Sequence, residues 1–395
     1  MTKFSNKLTL GIELIEDANW MGGTLYLRNL VVCLSRLPVK ERPNIRLLGA
    51  PEVVSNFIEE FGYLPGIETS DEKGLWQRML RRLGFSRALI SPIDVVYPGF
   101  GAEFAGAVSV RWVPDFQHRY LPALFADEEI EVRNSSIADI AARPGVVVMS
   151  SQVAVKDFKK FYPEHRVQPR VWHFCSLLDT TEPPKIDIIA KYGLPKKYMY
   201  LPNQCWAHKN HITVFKALAR LRSEQGVTIP LVCTGTQSDR RNIDHFSSLM
   251  QFIEEQNMTD QVHMLGLIDR DEQISVLRFS AAVVQPSLFE GWSTVVEDVR
   301  ATGRPIFLSD IPVHREQAPN KCSYFSPESD KDLAALILAD WEDLRQGPDL
   351  GAEENARQDV ENRILKSARI FHEILIGARD MHSLNECDKS YRKGV

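Results

Sequence analysis

The sequence predicts an α/β protein made of two doubly wound, Rossmann-like domains. Three observations lead there. Short apolar runs alternate with segments of helical period along most of the chain. The alternation breaks at Thr180-Thr-Glu-Pro-Pro-Lys185, where two prolines and polar neighbours mark a linker, and then restarts. At 395 residues the chain also exceeds what one core usually organises. The expected partition is 1–182, 183–365, and a C-terminal helix with a polar tail, 366–395, free to cross back to the first domain. Two such domains would face each other across a cleft at the C-terminal ends of their strands.

The elements follow in order. Residues 8–14 read as a strand, Asn19-Trp-Met-Gly-Gly-Thr24 as a turn, and 25–37 as a helix with Leu27, Leu30, Val31, Leu34 and Leu37 on one stripe. A strand at 45–48 and a helix at 53–61 come next. The runs 94–97, 107–113 and 146–149 are short and mainly apolar, as parallel strands buried on both faces are, and 151–162 is helical. Beyond the linker, strands are expected at 198–201, 229–234, 262–265, 281–284 and 306–308. Helices are expected between them at 211–224, 243–256, 272–279 and 294–301. Two amphipathic helices, 330–344 and 353–375, precede a polar tail that frays from about Arg379.

Composition narrows the function. A net charge of −5 argues against a nucleic-acid binder. The 6 cysteines are scattered with no C-x-x-C pair, which disfavours a zinc or redox motif and suits a reducing cytoplasm. No signal peptide and no membrane-spanning apolar run is expected. No strand leads into Gly-x-Gly-x-x-Gly, so a dinucleotide dehydrogenase is disfavoured.

The most informative stretch is Pro286-Ser-Leu-Phe-Glu-Gly-Trp-Ser-Thr-Val-Val-Glu-Asp-Val-Arg-Ala-Thr-Gly-Arg-Pro305. An apolar run feeds a turn holding Glu290 and Gly291; small hydroxyl residues open a helix, Gly303 stops it, and a second apolar run returns. An acid and open N–H groups from Trp292, Ser293 and Thr294 would then share a helix N-terminus, which favours a phosphate. A nucleoside diphosphate carrying a hydroxyl-rich group fits both. Of the two acids that follow, Glu297 has capping-box spacing from Thr294, whereas Asp298 lies one turn after Thr294 and is the better placed to accept from a ribose.

This stretch resembles the nucleotide-sugar motif of retaining GT-B glycosyltransferases of family four, an acid–seven residues–acid pattern within a Glu-Gly…Gly-x-Pro frame. The resemblance implies that Glu290 holds the transferred sugar and that the second acid, aligned on Asp298, holds the ribose. Asn203-Gln-Cys-Trp-Ala-His-Lys-Asn-His211 resembles the family segment that sets an arginine and a lysine on the donor diphosphate. Lys209 matches the lysine, but Gln204 stands where arginine is usual. The family also has glycines at Gly22-Gly23, which otherwise read as a tight turn, and this implies close approach to phosphate (Gly23) or acceptor (Gly22). In Arg111-Trp-Val-Pro-Asp-Phe-Gln-His118, the family implies a histidine beside the reacting sugar. His118 is thus read as acceptor orienter or proton relay, with Asp115 bracing its loop on the acceptor side. Gly235, Gly266 and Ser287 read as turn residues near the nucleotide.

Arg78, Arg81, Arg82 and Arg87 interleave with Trp76, Leu80 and Phe85 within 73–87. Two readings stand: a surface helix with its apolar side on the core, or docking to an anionic membrane. The expectation is therefore a cytoplasmic glycosyltransferase, at the inner face of the plasma membrane if 73–87 docks there. It would be metal-independent for want of an Asp-x-Asp signature, need no cofactor, and act on a nucleoside diphosphate sugar and a glycan or lipid-linked acceptor. The competing classes are a GT-B sugar-nucleotide epimerase or phosphorylase, and a non-catalytic nucleotide-sugar-binding subunit, which Gln204 favours.

Overall fold

The structure is a computed structural model and describes residues 7–15, 21–68, 93–99, 106–178, 180 and 187–393. The basic stretch 73–87, residues 181–185 of the expected linker, and Asn19 and Trp20 of the expected first turn lie outside them. The chain divides into two compact units, one of Met1–Pro114, Ser135–Cys175 and Asn362–Val395, the other of Asp115–Asn134 and Ser176–Glu361.

The first unit holds β1 (Thr9–Glu13), α1 (Met21–Ser35), β2 (Asn44–Leu48), α2 (Pro51–Phe61), β3 (Val95–Tyr97) and β4 (Val108–Val113). After α3 (Gln117–Tyr120), which belongs to the second unit, come α4 (Asp127–Ala142), which enters the first unit at Ser135, then β5 (Gly145–Met149), α5 (Gln152–Phe161) and β6 (Val167–Val171). The six strands lie in the order β2-β1-β3-β4-β5-β6 and every pair is parallel. The order reverses between β1 and β3, the topological switch point of this unit. Val146, Val147 and Val148 are buried, as an interior parallel strand requires. Ser151 caps α5 by accepting the Ala154 N–H at 3.0 Å. Around α1 the core is aromatic: the Tyr26 ring stacks on Trp112 at 4.1 Å and meets Trp172 edge-on at 4.8 Å, and its hydroxyl bonds that of Tyr97.

The second unit holds α6 (Ile188–Tyr192), β7 (Met199–Pro202), α7 (His211–Gln225), β8 (Leu231–Thr234), α8 (His245–Glu255), β9 (Val262–Met264) and α9 (Arg270–Phe279). It continues with β10 (Ala282–Gln285), α10 (Thr294–Thr302), β11 (Ile306–Ser309), α11 (Pro312–Gln317), β12 (Cys322–Phe325), α12 (Asp330–Asp340) and the start of α13 (Leu350–Lys393), whose residues from Asn362 onward belong to the first unit. Its parallel sheet runs β12-β11-β10-β7-β8-β9, so the switch point falls between β7 and β10. Gly303 ends α10 in the left-handed region at φ 63°, and a Cβ there would meet the Ala352 carbonyl at 2.9 Å. The start of α13 is fixed by a buried two-point ion pair, Arg278 Nε and Nη2 on Glu353 at 2.9 and 2.7 Å.

Several elements go beyond the sequence reading. Gly22 and Gly23 lie in the first turn of α1, where a turn was expected. Helix α4 buries only Ile137 and Ala141, too few for a visible stripe, although Asp127, Glu128 and Glu129 suit its N-terminus. Strands β6 and β12 sit at sheet edges, half exposed, and Pro169 is tolerated in β6 for that reason. The polar tail does not fray at Arg379; α13 continues to Lys393.

Candidate active site

The second unit's switch point gathers its polar side chains. Past β7 the chain makes one 3₁₀ turn, Ala207–Lys209, and enters α7 through Asn210, a left-handed residue at φ 57°. The Asn210 amide donates to the carbonyls of Pro286 (3.0 Å) and Pro327 (2.8 Å), and Leu288 N–H donates to the His208 carbonyl at 2.8 Å. The loops after β7 and β10 are thus stitched together, and Lys209 Nζ comes 2.6 Å from Glu290 Oε1. Gly235, after β8, serves packing: a Cβ there would stand 2.4 Å from the Asn203 carbonyl.

One oxygen of Glu290 takes all its protein hydrogen bonds. Oε1 accepts from Lys209 Nζ at 2.6 Å, Ser287 Oγ at 2.7 Å and Gln285 Nε2 at 2.9 Å. Among the described residues nothing donates to Oε2, and the side chain keeps 10% exposure. Burial, the largest single influence, would raise this carboxyl, but the Lys209 charge and hydrogen bond together with His208 and His314 outweigh it and hold the group below the usual carboxylate range. Two neutral histidines stand nearby. Burial, then the Lys209 charge, takes His208 down to about 3. Burial also lowers His314, whose Nδ1–H points at the Ser309 carbonyl (2.9 Å) and leaves Nε2 as a buried acceptor without a protein partner.

At the start of α10 the N-cap is Ser293, whose Oγ accepts the Val296 N–H at 3.4 Å. Thr294 therefore does not cap, and Glu297 closes no capping box; it accepts instead from Gln317 Nε2 at 3.2 Å. Gln317 also accepts the Ser293 N–H at 3.0 Å, so this amide, expected to be open, is taken. Among the described residues, the N–H groups of Thr294 and Val295 are the first-turn donors that remain. Gly291 is half-buried and Trp292 is buried.

Asp298 is not the free acceptor that was expected. It is buried, and its Oδ1 accepts from Arg270 Nη2 and Ser176 Oγ, at 2.6 and 2.5 Å. Gln204 is half-buried next to Cys205, which is fully enclosed, its thiol pushed up to about 12 by burial. His118 is buried in α3, with Nε2 3.0 Å from Asn134 Oδ1 and Nδ1 without a partner, and burial lowers its pKa. Asp115 turns to the Gln117 N–H at 2.9 Å and so braces the loop. That segment packs within the second unit: Tyr120 stacks on Phe289 at 5.6 Å, and Arg241 Nη2 reaches Glu129 Oε1 at 2.7 Å. Gly22 and Gly23 belong to the first unit.

Sequence reasoning passed over Gln285, Arg270, Ser176, Gln317 and His314. Gln285 had a signal, a carboxamide ending an apolar strand. Arg270, Ser176 and Gln317 carry none, since their partners are remote in sequence, and His314 is met only in the fold beside Glu290.

Comparison with known proteins bears on this arrangement. The family model described as glycosyl transferases group 1 matches residues 185–359. Residues 185–359, a little under half of the chain, are thus similar to this family. A curated relative is the O-antigen chain mannosyltransferase RfbU of Salmonella typhimurium (strain LT2), 28% identical over 181 residues, covering 45% of this chain. The match spans about half of that relative, 47% of its length. Solved structures extend the likeness in fold beyond the matched residues. A glycosyltransferase from Rickettsia africae ESF-5 is 16% identical with a TM-score of 0.62, over 94% of this chain and 99% of its own. Anabaena Alr3699/HepE, solved with UDP-glucose, is 15% identical with a TM-score of 0.64 over 93% and 99%. WaaG, a glycosyltransferase involved in lipopolysaccharide biosynthesis, is 12% identical with a TM-score of 0.57 over 95% and 99%. The fold class is thus GT-B, two Rossmann-like α/β units. No helix among the described residues is long and apolar enough to cross a membrane.

Proposed function

We propose that this protein is a retaining glycosyltransferase that moves a hexose-type sugar from a nucleoside diphosphate sugar to a glycan or lipid-linked acceptor, in cell-surface polysaccharide synthesis. One observation carries the reading. Across the switch point of the second unit, a lysine and a carboxylate stand 2.6 Å apart, and the carboxylate keeps one oxygen to which no described residue donates. A donor entering there exchanges that ion pair for contacts of its own. The Lys209 ammonium turns to the diphosphate, and Glu290 accepts from sugar hydroxyls through Oε2.

Leaving-group charge then builds on the diphosphate. Lys209 and the open N–H groups of Thr294 and Val295 stabilise it without a metal ion. Gln204 adds donors but no charge, so more of this burden falls on Lys209. His118 is kept neutral by burial and so suits a hydrogen-bonding or relay role at the reacting sugar better than a fixed positive charge. Asp298 reaches the ribose only through Oδ2 or by yielding its Arg270 contact. The relatives support the substrate class: HepE was solved with UDP-glucose, and RfbU is a mannosyltransferase of O-antigen chains. In this reading the second unit binds the donor, the first serves the acceptor, and the protein works in the cytoplasm.

A thermal-shift screen of nucleotides and nucleotide sugars, followed by transfer assays with the stabilising donor, tests the proposal. A rise in Tm with one nucleoside diphosphate sugar, and transfer of its sugar with retained configuration, is expected. Binding without turnover over a broad acceptor panel would favour the non-catalytic subunit instead, and no stabilisation by any nucleotide would end both readings.

A further inference from the structure

Gln285 ends β10 with no exposure at all, yet its carboxamide is fully engaged. Its Oε1 accepts the Asn203 Nδ2–H at 2.6 Å. Its Nε2 faces Glu290 Oε1 at 2.9 Å, Ser287 Oγ at 3.1 Å and Ser293 Oγ at 3.2 Å. The two ends of this amide are not interchangeable. Turned over, it would set its oxygen against the Glu290 carboxylate and its NH₂ against that of Asn203, two repulsive contacts for two attractive ones. Asn203 is buried as well, and it is seated in turn by the close approach of Gly235. A chain of fixed dipoles thus runs from the end of β7 to the end of β10 and stops on one carboxylate oxygen.

We propose that Gln285, oriented by Asn203, is a positioning residue that pins Oε1 of Glu290 and so leaves Oε2 as the one oxygen offered to the donor sugar. This rests on the reading of the site as a nucleotide-sugar site, and it adds a specificity element to it. A carboxylate anchored on one side accepts at a single point and in a single direction. It favours a sugar whose hydroxyl lies on that line and discriminates against one in which the hydroxyl is inverted or missing. Lys209 alone would not enforce this, because an ammonium on a flexible stem follows the carboxylate as it turns. Ser287 is a short local donor and helps. Gln285 ties the carboxylate through a buried amide to Asn203 at the end of β7.

The test uses the full chain with Gln285→Met and Gln285→Glu, and Ser287→Ala as a comparison. Crystal structures give the placement of Glu290; kcat and KM for the donor across pH give its use. In Gln285→Met the Glu290 carboxylate leaves its anchored orientation, and kcat falls by about 10- to 100-fold while the donor KM changes much less. The donor epimer at the recognised carbon is then used relatively better than by the wild type. Gln285→Glu sets a second carboxylate beside Glu290, Lys209, His208 and His314. It restores the anchor only when protonated, so its activity lies on the acid side and is lost as pH rises. A merely structural role would lower both variants at all pH values alike. The proposal is overturned if Glu290 is unmoved in Gln285→Met and kcat, epimer preference and pH profile match the wild type. Should Gln285→Met not fold, the Gln285→Glu pH profile decides, an unchanged profile counting against the proposal. Should the wild type transfer no sugar, the functional reading fails, while the placement of Glu290 in the crystal structures still decides this one.

Discussion

The two units present the same architectural opportunity and use it differently. Each is a six-stranded parallel sheet with one switch point, between β1 and β3 in the first and between β7 and β10 in the second. At the first, Tyr26 and Tyr97 turn their hydroxyls on each other inside an aromatic cluster, so these two polar groups, among the described residues, serve to hold the fold together. At the second, Asn203, Gln285, Ser287, Lys209 and Glu290 make a network that ends on a carboxylate whose other oxygen has no donor among the described residues. The sheet provides a crevice in either case; a few side chains at the strand ends decide whether it becomes core or site.

The sharpest way to break that comparison is Glu290→Gln. Transfer should fall by at least about 10²- to 10³-fold with Tm nearly unchanged, because the amide keeps the shape and loses the charge-assisted acceptor. Near-normal turnover in a radiolabelled-sugar assay would remove Glu290 from the mechanism. Next in size is Lys209→Ala, which should raise the donor KM by about 10- to 100-fold, since the only other diphosphate donors proposed here are neutral. Unchanged kinetic constants would shift the anion contact to another cation.

A third effect is on stability and follows from buried neutral histidines. Burial, with the Lys209 charge next, holds His208 at about 3, and burial, with His245 next, holds His211 at about 3, against an ordinary 6.5. Between those values the unfolded chain binds protons that the folded chain does not. The stability is therefore fully present above pH 6.5 and declines as pH falls toward 3, by up to about 1.4 kcal/mol per pH unit for each histidine. Urea midpoints between pH 7 and 4.5 would read the slope, and His211→Phe, which keeps a ring beside Phe215, should flatten it. The smallest effect belongs to the first unit. Tyr97→Phe removes one half of a buried hydroxyl pair and should cost about 1 kcal/mol, with donor kinetics intact; a changed donor KM would show that this switch point is more than core.

Much of this was legible in the sequence, and the reason is physical. Interior strands such as β5 and β10 are apolar on both faces and announce themselves, whereas edge strands β6 and β12 mix polar and apolar residues and do not. Glu290 and Lys209 were legible because each stands just past the end of a strand whose place in the sheet could be inferred. The fate of Asp298 was not, because Ser176 and Arg270 are distant in sequence and only folding brings them to it. Thr294 and Ser293 show the same limit at short range, since either could cap by composition and the backbone entering the helix chose Ser293.

Cys205 offers a practical consequence. Its enclosed sulfur follows Gln204 at the mouth of β7 and stays protonated at ordinary pH, so alkylating reagents reach it only when this corner of the sheet opens. The rate at which iodoacetamide marks that one peptide is then a built-in clock for local breathing, readable by mass spectrometry without any engineered probe. Slower marking in the presence of a nucleotide sugar would locate the bound handle beside β7 before any crystal is grown.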